Sequence, residues 1–474
     1  MSKLGLRLLD RLTDAAPSIA PRLFHELFFG LTGSKAYYRM QLARHRKKLA
    51  ASHDFSKILI VPDLNIGDSI VLQPAIRCIQ RHFPQSEIHY LCNRLGAELL
   101  AAMPGVTVHA VFQGHEGMPT EQDLQQFGAI LAREDFTLTL NLCPFLPQRA
   151  LKNSGVVLPL YLPFGCYVVR GWSLGRVTHI SEFLRDFMEM FFSRGPIQEP
   201  CNPSSSQHAP SVSSTIATTV RWPTLGPGLE LPVVTHPLTN DGNVIYLHEE
   251  CIQRAQNFIE NSNLNHAEGL VFLNPDATSQ YGRMPFAIQR DLLEQIARMD
   301  EVGGILIGAA YASEGIEHAI ISQLPYDLRG RIHIVPHVAI ETYAAIIDAC
   351  DVFISSDGGP LHLSATRKFT NAGVPMRNKT LIVTVHGATD SRMYGYDSSA
   401  ANHLEANQDA PSIVFSANAP CRNITCINKW GKSCKDVRCF DGLEAASITS
   451  YIQSYLQHVH EVRTDSTFGL VGVV

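Results

Sequence analysis

The stretch FISSDGGPLHLSA, Phe353–Ala365, joins an apolar run to Ser-Ser-Asp, then Gly-Gly-Pro, then a His. The run reads as a buried strand, and Pro360 reads as an early position of a helix, where proline is tolerated. Gly358 and Gly359 strip the turn of side chains. Backbone N–H groups of such a turn, at a helix N-terminus, suit a diphosphate. His362 falls in the first turn of that helix. It either donates to a phosphate, or holds the loop, or is simply a hydrogen-bonded core His.

Outward from this stretch the chain alternates strand and helix. IETYAAIIDAC (340–350) is a helix before the strand DVFIS, and TLIVTVHG (380–387) is the strand after it. GLVFLN (269–274), GGILIG (303–308) and RIHIV (331–335) are further strands, and Pro285–Met299 is a helix. An earlier alternation holds KILIVP (57–62), VLQPAIRCIQRHF (71–83), EIHYLC (87–92), VTVHAVF (106–112), a helix at 121–134 and FTLTLNL (136–142). Alternation of this kind predicts parallel, doubly wound sheets, one in each half. The expected organisation is a helical basic extension at 1–55, a Rossmann-like acceptor-side domain at 56–195, a Ser/Pro-rich linker at 196–242 and a Rossmann-like nucleotide-sugar domain at 243–442. A helix within 443–474 is expected to pack back on the first domain, followed by a tail.

The exit of the first strand is built like the opening stretch. In VPDLNIGDSIVLQPAI, Val61–Ile76, a polar loop leads to Gly67-Asp68-Ser69 and a helix. Asp68 is read either as an N-cap or as a general base.

Composition narrows the class. The chain has 474 residues, 45% hydrophobic and 18% charged, with net charge −5. That is ordinary globular composition, with enough length for two domains, and it excludes a general polyanion binder, so no nucleic-acid partner is expected. Residues 1–50 carry about +7, leaving −12 elsewhere. This basic segment reads as an amphipathic helix pair on an anionic surface or as a helical lid on the first domain. The apolar run at 155–169 contains two prolines and is too short to span a bilayer, and no signal peptide is visible. The expected location is cytoplasmic, extending to the inner face of the cytoplasmic membrane.

Together the two stretches resemble glycosyltransferase family 9, which holds the ADP-heptose:lipopolysaccharide heptosyltransferases. The resemblance covers roughly 57–112 and 269–445. It rests on ILIVPDLNIGDSIVLQPAIRCIQRHFP, on SSDGGPLHLSA, on HGATDSRMYG (His386–Gly395) and on LNPDATSQYGRMPF. It implies a GT-B fold with two Rossmann-like domains facing a central cleft, and inverting transfer of a sugar with no cofactor required for catalysis. The implied donor is ADP-heptose and the implied acceptor a lipopolysaccharide-core or other cell-envelope glycan. Asp68 would be the catalytic base. Gly67, Arg283, Asp357, Gly358, Gly359, Pro360 and His362 would form the donor side. Two departures stand out: Asp276 replaces a usual Gly, and Arg283 replaces a usual Lys. An insertion, RKFTNAGVPMRNK (367–379), is expected to lengthen a loop and add positive charge near the site.

Eleven cysteines are present, and Cys421, Cys426, Cys434 and Cys439 cluster late with spacing C-x4-C-x7-C-x4-C. They read as a structural zinc or iron site, as unliganded thiols, or as two disulfides. Two alternatives accompany the main reading: an autotransporter-type protein heptosyltransferase with Cys-bound metal, and a catalytically inactive sugar-nucleotide-binding protein.

Overall fold

The computed structural model describes residues 35–468 apart from 53, 63–65, 113–119, 144–145, 147, 175–178, 194–242, 263, 265–267, 278–281, 310–314, 377–379, 388, 397–411 and 418–437. The chain divides into two compact units, each built on its own sheet.

The first unit opens with α1 (Lys35–Ala50) and continues through β1 (Lys57–Val61), α2 (Ile66–Val71) and α3 (Gln73–His82). Then come β2 (Glu87–Asn93), α4 (Arg94–Leu100), β3 (Val106–Phe112), α5 (Glu121–Glu134), β4 (Leu138–Asn141) and β5 (Val156–Pro159). It closes with α6 (Tyr161–Ser173) and α7 (Ile180–Phe192). The sheet order is β3-β2-β1-β4-β5, with parallel pairing throughout. The strands are apolar runs because helices cover both faces of a parallel sheet. In β1, Ile58, Leu59, Ile60 and Val61 are fully buried. Local chemistry sets the helix ends. Pro74 stands in the first turn of α3, and Thr120 with Asp123 forms a capping box at α5.

The described part of the basic segment packs as a helix on the first unit. α1 lies on the first unit: Tyr38 and Leu42 are buried, Tyr38 packs on Tyr167, and Arg46 Nε donates to the Phe191 carbonyl at 3.2 Å. Residues 1–34, where the amphipathic reading also falls, lie outside the described residues.

The second unit contains β6 (Val244–Leu247), α8 (Glu249–Asn261), β7 (Gly269–Leu273), α9 (Phe286–Ala297), β8 (Val302–Ile307), α10 (Ile316–Ser322), α11 (Tyr326–Arg329) and β9 (Ile332–Ile334). It continues with α12 (Ile340–Ala349), β10 (Val352–Ser356), α13 (Gly359–Ala365), β11 (Arg367–Thr370), β12 (Leu381–His386), α14 (Ser391–Tyr394), β13 (Ser412–Ser416) and α15 (Ala445–Phe468). Its main sheet is parallel with order β13-β12-β10-β7-β8-β9. Numbered by its own strands this is the doubly wound order of dinucleotide-binding folds. β6 and β11 form a separate parallel pair.

Two expectations are corrected here. The 367–379 insertion is not simply a longer loop. Its first four residues are β11, and Arg367 and Lys368 are buried. Lys368 Nζ lies 2.7 Å from Asp348 Oδ1 and donates to the carbonyls of Ser364 and Thr366. Its charge therefore serves the interior. The late helix also differs from expectation, because α15 makes its described contacts within the second unit. Thr449 Oγ1 donates to Gln295 Oε1 at 2.8 Å, Gln453 donates to Glu301, and Leu456 lies against Gly269. The apolar face of α15 finds α9 and the start of β7, which no local pattern in 443–459 specifies. Among the described residues, no helix is long and apolar enough to cross a membrane.

Candidate functional site

In a doubly wound sheet the carboxyl ends of two neighbouring strands diverge where the order reverses, and ligands bind in the crevice that opens there. The first sheet reverses between β1 and β4, and the second between β7 and β10. Every non-cysteine site residue expected from the sequence follows one of three of these strands, β1, β7 or β10.

In the first unit, β1 leads through residues 62–65 to α2, where Gly67 and Asp68 are the second and third residues. Asp68 is half-buried and lies inside the first turn, so it is not the N-cap. Across the reversal, Asn141 pairs in register with Val61. Asn141 is fully buried at the end of β4, and its Oδ1 accepts from Cys143 N at 2.9 Å. Among the described residues nothing accepts from its Nδ2. Sequence reading passed over this residue, although an Asn closing an apolar strand was a visible signal.

In the second unit three strand exits are tied to one another. After β7, Asn274 Nδ2 donates to the Asp276 carbonyl at 2.6 Å and to Ser355 Oγ at 3.3 Å. Tyr343 OH in turn donates to Asn274 Oδ1 at 3.0 Å. Met284 N donates to Ser356 Oγ at 2.9 Å, which seats the end of the Arg283 loop on β10. After β10 comes Asp357, which accepts from Thr389 Oγ1 of the loop after β12. His386 Nδ1 lies 3.3 Å from the same Thr389 hydroxyl. His362 is buried, and its Nδ1 is 2.7 Å from Tyr396 OH. That contact supports the holding role for His362. Asp390 caps α14, and its carboxylate, bonded to Arg392, pushes that guanidinium's pKa further up.

The two departures from the family pattern prove to be one feature. Arg283 Nη2 lies 2.5 Å from Asp276 Oδ1 and also donates to the Ala277 carbonyl at 3.3 Å. Among the described residues nothing accepts from Arg283 Nε, although that atom is buried. The same loop reaches the Gly-rich turn, since a Cβ placed on Gly358 would lie 3.8 Å from Ala277 Cβ. Gly358 is extended, with φ 177°, so no backbone strain requires glycine here. The missing side chain instead leaves the start of α13 open. The structure thus places Asp276, Arg283, Asp357, Gly358, Gly359, Pro360 and His362 beyond the carboxyl ends of the adjacent strands β7 and β10. Gly67 and Asp68 belong to the first unit.

Of the late cysteines, Cys421, Cys426 and Cys434 lie outside the described residues. Cys439 is buried on a short 3-10 turn, Arg438–Phe440. Sequence reasoning also missed Asn274, Tyr343, Ser356 and Tyr396. Each acts through a partner about 30 to 80 residues away, and nothing local marks it.

No protein-family model and no curated protein matches the sequence. Solved structures do match. A glycosyltransferase family 9 protein from Veillonella parvula aligns with 86% of this chain and 99% of its own, at 14% identity and TM-score 0.52. ADP-heptose lipopolysaccharide heptosyltransferase II from E. coli aligns with 85% of this chain and 99% of its own, at 13% identity and TM-score 0.52. The chain shares the fold of these proteins, the GT-B class with two Rossmann-type units.

Proposed function

We propose that the chain is an inverting glycosyltransferase whose second unit binds a nucleotide-diphosphate sugar. One observation carries this reading. At the strand-order reversal, the half-exposed Arg283 guanidinium, with its buried Nε N–H unclaimed among the described residues, stands beside a side-chain-free turn opening a helix. A fork of N–H donors and helix-terminal amides is what a leaving diphosphate needs as its charge develops. Asp68 takes the proton of an acceptor hydroxyl. That oxygen bonds to the anomeric carbon from one face while the bond to the diphosphate breaks on the other. The nucleoside diphosphate leaves with the electron pair. Asp357, held by Thr389, orients the turn and does not touch phosphate, since like charges repel.

The finer reading is heptose from ADP-heptose passed to a cell-envelope glycan. It draws on the sequence resemblance and on the shared fold with a heptosyltransferase. The net +7 of residues 1–50 favours an acceptor at an anionic membrane surface. Removal of residues 1–50 should cut anionic-liposome binding more than it cuts donor binding, and equal liposome binding before and after would refute that placement. A thermal-shift panel with ADP, ADP-heptose, UDP-glucose, GDP-mannose and NAD tests the donor. A ligand at 100 times its Kd stabilises by ~2.7 kcal/mol, a readable shift. A response to ADP and ADP-heptose, with sugar transfer in a coupled assay, supports the proposal. A response to NAD alone, or to no nucleotide, sinks it.

The alternative of an inactive sugar-nucleotide binder has one observation in its favour, the Asp276 carboxylate already paired with Arg283. Nucleotide binding without transfer or donor hydrolysis would be its signature.

A further inference from the structure

Away from this site, α3 and α7 pack face to face in the first unit, and three unlike ligand groups meet between them. Cys78 and His82 are one helical turn apart on α3, and Glu189 faces them from α7. Cys78 Sγ is 3.2 Å from Glu189 Oε2, and His82 Nε2 is 3.3 Å from Glu189 Oε1. Among the described residues these three bring one ligand atom each within 4.8 Å of the other two. A tetrahedral zinc centre, with bonds of about 2.0–2.3 Å, holds its ligand atoms about 3.3–3.6 Å apart.

We propose that Cys78, His82 and Glu189 form a binding site for a zinc-class divalent cation that clamps α3 to α7. One thiolate, one imidazole and one carboxylate match a borderline-soft cation and not Mg²⁺ or Ca²⁺, which take oxygen sets. Glu189 is about half exposed, which leaves the fourth position to water. As the S–Zn bond forms, the Cys78 thiol gives its proton to solvent.

The opposing terms are also visible. Burial holds the Cys78 thiol well above its ordinary pKa, and Glu189 adds to this. Arg81 Nη2 lies 3.8 Å from Glu189 Oε2. The charge of Arg185 also favours the thiolate, but its guanidinium is bonded to Asp186. Arg81 is more than half exposed and can turn into solvent when a dication arrives, which removes that competitor. A dication bonded directly to the sulfur deprotonates the thiol outright. The consequence reaches the proposed site: α3 continues directly from α2, with Leu72 N donating to the Asp68 carbonyl and Ile76 N to Leu72. A clamp on α3 therefore steadies the helical run that carries Asp68.

The test is cobalt titration of the full chain, freed of metal by chelation, with Cys421, Cys426, Cys434 and Cys439 changed to Ser. Cobalt should give a thiolate-to-metal charge-transfer band that one equivalent of zinc abolishes. Cys78→Ser should remove that band, and Glu189→Gln should weaken binding at least tenfold. If the four-serine chain fails to fold, the wild-type chain is compared with Cys78→Ser and His82→Ala, the difference spectrum reporting Cys78 alone. His82 is partly exposed, so His82→Ala keeps a folded control in which zinc no longer raises the melting temperature. Absence of the band, or a band that persists in Cys78→Ser, overturns the proposal.

Discussion

At the scale of single residues, the decisive comparison is between what Asp276 holds and what a phosphate offers Arg283. The pair is partly exposed, and such pairs are worth about 0.2–1 kcal/mol. A charge-assisted bond to phosphate is worth about 1.5–3 kcal/mol. If the proposed donor site is right, phosphate therefore wins, and Asp276 would act as a weak competitor that parks the guanidinium until donor arrives. Arg283→Ala should weaken donor binding by roughly 10- to 150-fold, and Asp276→Asn should strengthen it by no more than about 5-fold. In the double variant the Asp276 effect should vanish, which isothermal titration of all four proteins would show. Equal donor affinity in wild type and Arg283→Ala would remove Arg283 from the phosphate site. For Asp68, Asn substitution should cut transfer by about 10²–10⁴-fold while donor affinity stays close to wild type. A turnover number near wild type would end the general-base role.

At the scale of elements, the insertion after α13 shows how burial redirects a charge. The insertion was expected to add positive charge near the site, yet β11 carries Lys368 inside, where Asp348 meets it with both side chains almost wholly buried. Desolvating two ions is costly, and the ion pair only offsets that cost. Lys368→Met should therefore destabilise the fold by about 3–5 kcal/mol, because it strands a buried carboxylate. The double variant Lys368→Met with Asp348→Leu should recover most of the loss. Urea unfolding of the three proteins measures both effects, and a single variant as stable as wild type would show that Asp348 takes up a proton without penalty. The same strand explains why reading the insertion as a loop was natural: RKFT carries two charges in four residues, and only pairing with β6 makes it a strand.

At the scale of the whole molecule, the buried titrating groups set how the protein meets acid. Burial, helped by Lys48 and Arg44, lowers His45 from 6.5 to about 4. Burial also lowers His89 and His109, whose rings stack with Nδ1 and Nε2 2.8 Å apart. For these imidazoles the unfolded chain binds the extra protons, so stability falls on acidification below the ordinary imidazole range, for His45 from about 6.5 toward about 4. Asp348 has the opposite sign. Burial outweighs Lys368 and raises it to about 6, so the folded state holds a proton that the unfolded state loses above 3.8. Its contribution is fully present below 3.8 and is lost as pH rises through about 6. The His45 shift, from 6.5 to about 4, is no smaller than that of Asp348, from 3.8 to about 6, and His89 and His109 add to it in the same direction, so the unfolding midpoint should fall on acidification across this window. A midpoint that stays level, or rises, would mean that the imidazoles titrate normally in the folded protein.

The alternation of buried strands and amphipathic helices was legible in the sequence, because strand and helix periods are local and each run announces its own burial. So were the polar strand exits, since Gly67-Asp68 and Asp357-Gly358-Gly359 interrupt apolar runs with residues that no core needs. Only the tertiary structure decided the order of the strands, which places β7 beside β10 and so sets Ala277 against Gly358. It also decided that Asp276 meets Arg283, that Thr389 holds Asp357, that Tyr396 holds His362, and that α15 lies on α9. The reason is physical. Propensity, patterning and capping act over one or two turns of chain, whereas these pairings join segments brought together only when the parallel sheet closes and buries its faces.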